Sequence, residues 1–277
     1  MDIIKASGEK EKFDKEKFCR SLRRAGADSE AVQKICGAIT KEVYPGISSR
    51  EIFEKTQSFL KKDNPILAAR YNLKRAIMRL GPTGFPFEKY IAGVLEEYGY
   101  TTQVGKQVMG RCVTHEVDVI AQKEGKHFMI ECKYHNSGGI RSDLKVALYT
   151  YARFLDVEEE WRKIPGHKNF FHQAWLVTNT KCTSQAIKYA NCAGLKILSW
   201  RYPKGGSLEN LIERKGLYPI TILPSFARYA GERLAQQGIM LTKNLLQYSA
   251  DSLSKRTGLK LHIIQRLQAE AKQIINS

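Results

Sequence analysis

The stretch His115-Glu116-Val117-Asp118-Val119-Ile120-Ala121, followed by His127-Phe128-Met129-Ile130-Glu131-Cys132-Lys133, decides the fold. Branched and apolar residues dominate both segments, and Gly125 with charged neighbours supplies a turn between them, so each is expected to be a short β-strand. Side chains alternate faces along a strand, which sends Glu131 and Lys133 to one side and Ile130 and Cys132 to the other. If the strands pair as a hairpin, about 4.8 Å apart, Asp118 comes to lie beside Glu131. Two carboxylates and a lysine then share one small volume. Hard oxygen ligands of this kind suit Mg²⁺ (or Mn²⁺), and a nearby lysine can orient or activate a water. An ordinary hairpin with a solvated polar face has the same pattern. The setting favours a site, because both strands are otherwise apolar and an unpaired charge in buried surface is costly.

The flanking segments extend the pattern. Upstream, Phe85-Pro86-Phe87-Glu88-Lys89-Tyr90-Ile91-Ala92-Gly93-Val94-Leu95 and Glu96-Glu97-Tyr98-Gly99-Tyr100 predict a helix ended by glycine. Downstream, Gln173-Ala174-Trp175-Leu176-Val177-Thr178-Asn179-Thr180 predicts a strand, residues 184–190 a helix, and Leu195-Lys196-Ile197-Leu198-Ser199-Trp200 another strand. This order of helix, three strands, then helix–strand–helix–strand resembles the Mrr-type restriction endonuclease branch of the PD-(D/E)xK nuclease superfamily. The residues carrying the resemblance are Phe87-Glu88, Tyr98-Gly99-Tyr100, 116–121, Glu131-Cys132-Lys133, and Val177-Thr178-Asn179-Thr180 with Ala186 through Gly194-Leu195. The resemblance implies metal-dependent hydrolysis of DNA phosphodiesters, with Asp118 and Glu131 as metal ligands and Lys133 beside the attacking water. Glu88 matches the glutamate of the family's first helix, which can complete the metal site; Glu96 and Glu97 are weaker matches. Many members carry glutamine where this chain has Glu131.

The 277 residues are 43% hydrophobic, enough for packed cores, yet carry 45 Lys and Arg against 28 Asp and Glu, a formal charge of +17. The excess is spread along the chain, with 18 basic and 11 acidic side chains in 1–80, 19 and 14 in 81–218, and 8 and 3 in 219–277. A polyanionic partner is expected, and charge alone does not distinguish DNA from RNA or a membrane surface. No apolar run is long enough to span a bilayer, and Met1-Asp2-Ile3-Ile4-Lys5 lacks the apolar core of a secretory signal. Six cysteines without a CxxC pair suggest reduced thiols in a cytoplasmic protein. Cys112-x-x-His115 with Cys132-x-x-His135 has zinc-like spacing, although Cys132 most simply fills the core.

Residues 1–80 read as a separate unit. A short strand at Ile3-Ile4-Lys5 returns at Glu11-Lys12-Phe13, Asp14 caps a helix over 15–25, and helices follow at 29–43, 49–62 and 65–80. The segment resembles the ATP-cone, a nucleotide-binding regulatory module, through Ile4-Lys5, Gly8, Phe13-Asp14, Lys17, Ile47-Ser48-Ser49-Arg50-Glu51-Ile52 and Ala69-Arg70-Tyr71. Lys5-Ala6-Ser7-Gly8 keeps the lysine and glycine of the module's opening but has Ala6 where an arginine would grip phosphate with two bonds. The resemblance implies ATP or dATP as a nucleotide effector, with Lys5, Lys17 and Arg70 the candidate phosphate contacts. A cone fold without its ligand is the alternative.

Gly81-Pro82-Thr83-Gly84-Phe85-Pro86 marks the domain joint. After Lys133, residues 134–139 are expected to form a loop, and 144–155 a helix with Leu144, Ala147, Leu148, Tyr151 and Leu155 on one side. Glu158-Glu159-Glu160 reads as an exposed acidic run, and Gly166-His167-Lys168-Asn169 as a loop. From Pro219 onward short helices are expected at 224–237, 242–248, 249–257 and 260–275, with Gly238 and Gly258 as stops. Residues 253–271 resemble a degenerate helix–hairpin–helix, a module whose loop amides contact DNA phosphates; a helical cap is the alternative.

The expected class is therefore α/β: a restriction-endonuclease-like core with a central mixed β-sheet at 81–218, a mostly helical ATP-cone at 1–80 and a small all-α domain at 219–277. The expected function is a Mg²⁺-dependent DNA endonuclease regulated by ATP or dATP, homo-oligomeric and without membrane association, serving defence against foreign DNA or DNA repair. A nucleotide-responsive DNA-binding regulator with an inert nuclease-like core is the competing class.

Overall fold

In the computed structural model, which describes residues 1–163 and 171–276, the chain forms two units, one from 1–79 with 218–277 and one from 80–217. In the first unit, β1 (Asp2–Ile4) pairs antiparallel with β2 (Lys10–Lys12), placing Ile3 against the helices. Side-chain oxygens satisfy the orphan amides at helix starts: Asp14 for α1 (Lys15–Arg24), Asp28 for α2 (Ser29–Lys41), Ser48 for α3 (Ser49–Asp63) and Asn64 for α4 (Pro65–Tyr71). The helix expected over 65–80 is interrupted at Asn72, whose N–H bonds back to the carbonyls of Ala68 and Ala69 before α5 (Leu73–Ile77) begins. Leu22, Ile35, Ile39, Ile47 and Leu60 fill the centre.

A disulfide joins Cys19 on α1 to Cys36 on α2, with Cα atoms 5.7 Å apart. The expectation of reduced thiols is corrected for this pair. Both cysteines lie on the core sides of paired helices, and that juxtaposition leaves no CxxC-type spacing in the sequence. Cys112, Cys132, Cys182 and Cys192 are free.

The second unit is a mixed sheet with helices. α6 (Phe85–Glu96) leads into β3 (Thr101–Met109), β4 (Thr114–Lys123) and β5 (Lys126–Lys133), which pair antiparallel in sequence. After the two-residue β6 (Arg141–Ser142) comes α7 (Leu144–Trp161). The chain returns as β7 (Phe171–Thr178), parallel to β5; the loop expected at 166–169 lies outside the described residues. The two-residue β8 (Lys181–Cys182) pairs with β6, and α8 (Ser184–Ala193) leads to β9 (Lys196–Leu198), parallel to β7. The main sheet order is thus β3-β4-β5-β7-β9, and α9 (Leu208–Lys215) follows it.

One helix face differs from expectation. α7 buries Ala147, Thr150, Arg153, Phe154 and Val157, whereas Leu148 and Leu155 are exposed. Two overlapping stripes at helical spacing compete for the interior, and Arg153 turns the helix toward the one that lets its guanidinium reach the sheet.

Beyond residue 217 lie a 3₁₀ turn at Ile220–Ile222, α10 (Arg228–Gln236), a second 3₁₀ turn at Thr242–Gln247, α11 (Ala250–Thr257) and α12 (Leu261–Asn276). Gly238 and Gly258 stop helices with φ of +75° and +66°, as their placement predicts. This segment packs with residues 1–79 rather than apart from them: α12 lies against α4, the Thr221 hydroxyl donates to the Ala76 carbonyl at 2.6 Å, and Arg70 Nε donates to the Tyr218 hydroxyl at 3.1 Å. The two segments thus form one compact unit. Among the described residues, no helix is long and apolar enough to cross a membrane.

Linking residues 17 apart removes freedom from the unfolded chain, an effect of about 3 kcal/mol for a loop of this size. Reduction, or the Cys19→Ser/Cys36→Ser pair, should therefore lower the melting temperature of the unit holding α1 and α2, read by calorimetry with and without reductant. Identical traces would remove the bond from the account.

Candidate active site

The β4–β5 ladder runs from Lys123↔Lys126 to Val119↔Ile130. One further step would set Asp118 opposite Glu131, but there a side chain takes over from the backbone: the Cys132 N–H donates to Asp118 Oδ2 at 2.7 Å. On its other edge β5 stays paired with β7 as far as Lys133↔Thr178. The strand is therefore held rigidly through Glu131 and Lys133, with Asp118 leaning across from β4. Cys132 is buried on the opposite side of β5, as alternation predicts.

Helices add two further groups. Glu88, in the first turn of α6, is near enough for Asp118, Glu116 and Glu131 each to repel its charge. Arg153, on the buried face of α7 and 9% exposed, donates to Glu131 Oε2 and to the Glu116 carbonyl, while the Tyr149 ring lies 5.1 Å from its guanidinium. Arg153 is the group that sequence reasoning misses. Its signal is an arginine on the same helical face as Thr150, Phe154 and Val157, a face otherwise suited to a core.

Burial and neighbours set the protonation of this cluster. Burial, with the charges of Asp118, Glu116 and Glu131, pushes the Glu88 carboxyl up to about 7. Glu131 is likewise pushed up to about 7, because burial and Asp118 outweigh the attraction of Arg153 and Lys133. Asp118 is also raised by burial, against the pull of the Cys132 amide, Arg153 and Lys133. Crowded carboxylates short of positive charge are what a hard divalent cation would relieve.

The donor set fits such a cation in part. Among the described residues, no three of His, Cys, Asp and Glu stand ready as a metal cage. Mg²⁺, however, keeps several waters and is often held by only one or two protein carboxylates. Asp118 and Glu131 would supply those, with Glu88 acting through its field. Glu96 instead accepts from the Thr102 hydroxyl at 2.6 Å.

The loop after β5 is bracketed by buried Asn179. Its Oδ1 accepts from the His135 N–H at 2.9 Å, and its Nδ2 donates to the His135 carbonyl at 2.7 Å. The His135 ring lies 3.3 Å from the Ser142 hydroxyl, and burial and Lys133 lower its pKa. His115 instead meets Asp156 at 2.7 Å, beside exposed Cys112, whose N–H also donates to Asp156. With Cys132 buried near Asp118, the zinc-spaced residues serve separate local roles.

In the other unit, Lys5 and Lys17 converge on Glu11, at 3.4 and 2.6 Å. Both lysines hold Glu11 below the usual carboxylate range, the Lys17 hydrogen bond being the largest cause. Arg70 is engaged elsewhere, over Gly26 and against Tyr218.

Both raised glutamates bind protons more tightly folded than unfolded. Their contribution to stability is complete below pH 4.5 and is lost as the pH climbs through about 7. In chelator-treated protein, Glu88→Gln should leave the melting temperature unchanged at pH 5 and raise it by about 2 °C at pH 8, solvent access keeping the gain small. Arg153→Met should do the reverse at pH 8, costing on the order of 3 kcal/mol by leaving Glu131 buried without its partner, and far less at pH 5. Shifts that do not depend on pH would refute this electrostatic account.

The chain is similar to known proteins. The family model described as AF1548-like, C-terminal, matches residues 218–275. An uncharacterized protein of Archaeoglobus fulgidus is 40% identical over 185 residues, spanning 67% of this chain and 99% of the relative. A crystal structure described as a protein of unknown function, AF1548, superposes with a TM-score of 0.61 at 39% identity, covering 70% of this chain and 99% of that one. At that identity and coverage, the chain belongs to the AF1548-like family.

Proposed function

We propose that this protein is a metal-dependent DNA endonuclease with a restriction-endonuclease-like core of the Mrr type. One observation carries the reading: Asp118 and Glu131 meet where the β4–β5 ladder ends, with Lys133 on the same strand. Asp118 and Glu131 would hold Mg²⁺ or Mn²⁺, which when bound polarises a phosphodiester and makes a bound water more acidic. Lys133 orients that water and offsets charge developing on phosphate. Arg153 keeps the Glu131 carboxylate in place, and Glu88 adds negative field on the α6 side. Affinity for DNA comes from basic surface, of which residues 1–79 with 218–277 supply 26 basic against 14 acidic side chains. The Gly258 and Leu259 amides are held internally by the Ser254 carbonyl and the Thr257 hydroxyl, so phosphate contact in the α11–Gly258–α12 segment would fall to the positive end of α12.

Asp118→Ala and Glu131→Ala should each reduce nicking of supercoiled plasmid in Mg²⁺ by about a thousandfold or more while leaving DNA binding in place, because the ligands serve hydrolysis and basic surface serves affinity. Lys133→Ala should lose rate with metal affinity retained. Plasmid left intact by wild-type protein in both Mg²⁺ and Mn²⁺ would instead favour a DNA-binding regulator with an inert core.

Regulation by ATP or dATP through residues 1–80 belongs to the same proposal. Lys5 and Lys17 already share one anion, the Glu11 carboxylate, and a phosphate of higher charge can compete for them. Calorimetry should detect ATP or dATP binding, and Lys5→Ala should weaken it about tenfold. No heat at millimolar nucleotide would remove the effector from the scheme.

A further inference from the structure

The outward face of α7 carries a pattern that neither the core nor the acid cluster uses. Lys145, Leu148, Ala152, Leu155 and Glu159 are all exposed, and they recur at alternating intervals of three and four residues. At 3.6 residues per turn they fall within roughly 80° of one another, directly opposite the buried stripe of Thr150, Phe154 and Val157. Leu148 and Leu155 are 44% and 45% exposed, and Tyr149 beside them is 57% exposed. Such spacing is the seam of a helix pair.

We infer that this face joins two copies of the chain in a two-fold dimer, α7 packing antiparallel against α7 of the second copy. The stripe is self-complementary. A two-fold axis close to Ala152 sets Leu148 of one copy against Leu155 of the other, and it sets Lys145 against Glu159 at both ends. A two-fold interface requires such reciprocity, since each residue of the patch must meet its complement on an identical patch. Ala152, the smallest residue of the stripe, lies where the helix axes come closest. A parallel pairing would instead align Lys145 with Lys145 and Glu159 with Glu159, and is disfavoured. Glu159 has an exposed contact with Arg111 at 3.1 Å, which costs little to share.

The apolar surface continues beyond the helix. Asp156 accepts from the N–H groups of Cys112 and Val113, and its carbonyl accepts from the Arg111 N–H, tying the tip of the β3–β4 hairpin to α7. That hairpin exposes Met109 and Val113, 62% and 56% accessible, and so widens the patch beyond a single helix contact. Tyr149, at the edge of the seam, also covers the guanidinium of Arg153. The inference rests on this face alone and holds whether or not the acid cluster hydrolyses DNA.

Sedimentation velocity on the full chain across the micromolar range tests it. Wild-type protein should show a reversible dimer. Lys145→Glu and Glu159→Lys should each weaken it about tenfold or more, because every single change puts two like-charge pairs into the interface. The Lys145→Glu/Glu159→Lys protein, with its charges exchanged, should recover wild-type association, which a folding defect would not. Leu148→Asp/Leu155→Asp should be monomeric with an unchanged melting temperature. Ala152→Cys should form a covalent dimer on mild oxidation beyond any seen with wild type. Wild-type protein that stays monomeric throughout, or a dimer unaffected by the leucine and charge changes, would overturn the assignment.

Discussion

Two partly buried carboxylates set side by side are the constraint on which the second unit depends. Asp118 and Glu131 repel one another, and nothing in an apolar sheet would tolerate them without compensation. The compensation comes from three directions: the Cys132 amide freed where the β4–β5 ladder ends, the Lys133 ammonium two residues along the strand, and the Arg153 guanidinium. The last of these fixes the rotation of α7. Once Arg153 faces the sheet, Thr150, Phe154 and Val157 follow it inward and the leucines at 148 and 155 turn to solvent. A choice made at the charged cluster thereby decides which apolar surface the unit presents.

The compensation is incomplete, and that residue of unbalanced charge bears on function. Glu88 and Glu131 remain protonated more readily than free glutamates, so near neutral pH the pocket is poised between neutral and charged forms. Perturbed carboxylates of this kind cluster at functional sites. The Asn179 bracket on His135 belongs with this view, since it fixes the course of the chain immediately after Lys133 at the cost of burying an amide.

Local rules made much of this legible before any coordinates. Alternation and turn chemistry located β4 and β5, placed Cys132 inward and brought Asp118 toward Glu131. Asp14 marked the start of α1, and Gly238 and Gly258 the ends of α10 and α11. The misses share a cause, which is that they depend on contacts distant in sequence. Arg153 is 22 residues from Glu131, so the stripe 144, 147, 148, 151, 155 looked as good for the interior as the one actually buried. The Cys19–Cys36 bond needs two helices to pair before it can exist. In each case spacing within one element says nothing about its partner.

The split membership of the first unit has a consequence for how the molecule comes into being. Residues 80–217 form a continuous segment and can acquire their sheet as soon as that segment has left the ribosome. The unit built from 1–79 and 218–277 cannot: α4 lacks its cover until α12 is synthesised, and Ala76 and Arg70 lack the partners that Thr221 and Tyr218 provide. The first helices can cover one another, but α4 and α5 must wait for their remaining partners while nearly 140 residues of the other unit are made. A nascent chain of this design has its acid cluster assembled well before its most basic part is complete.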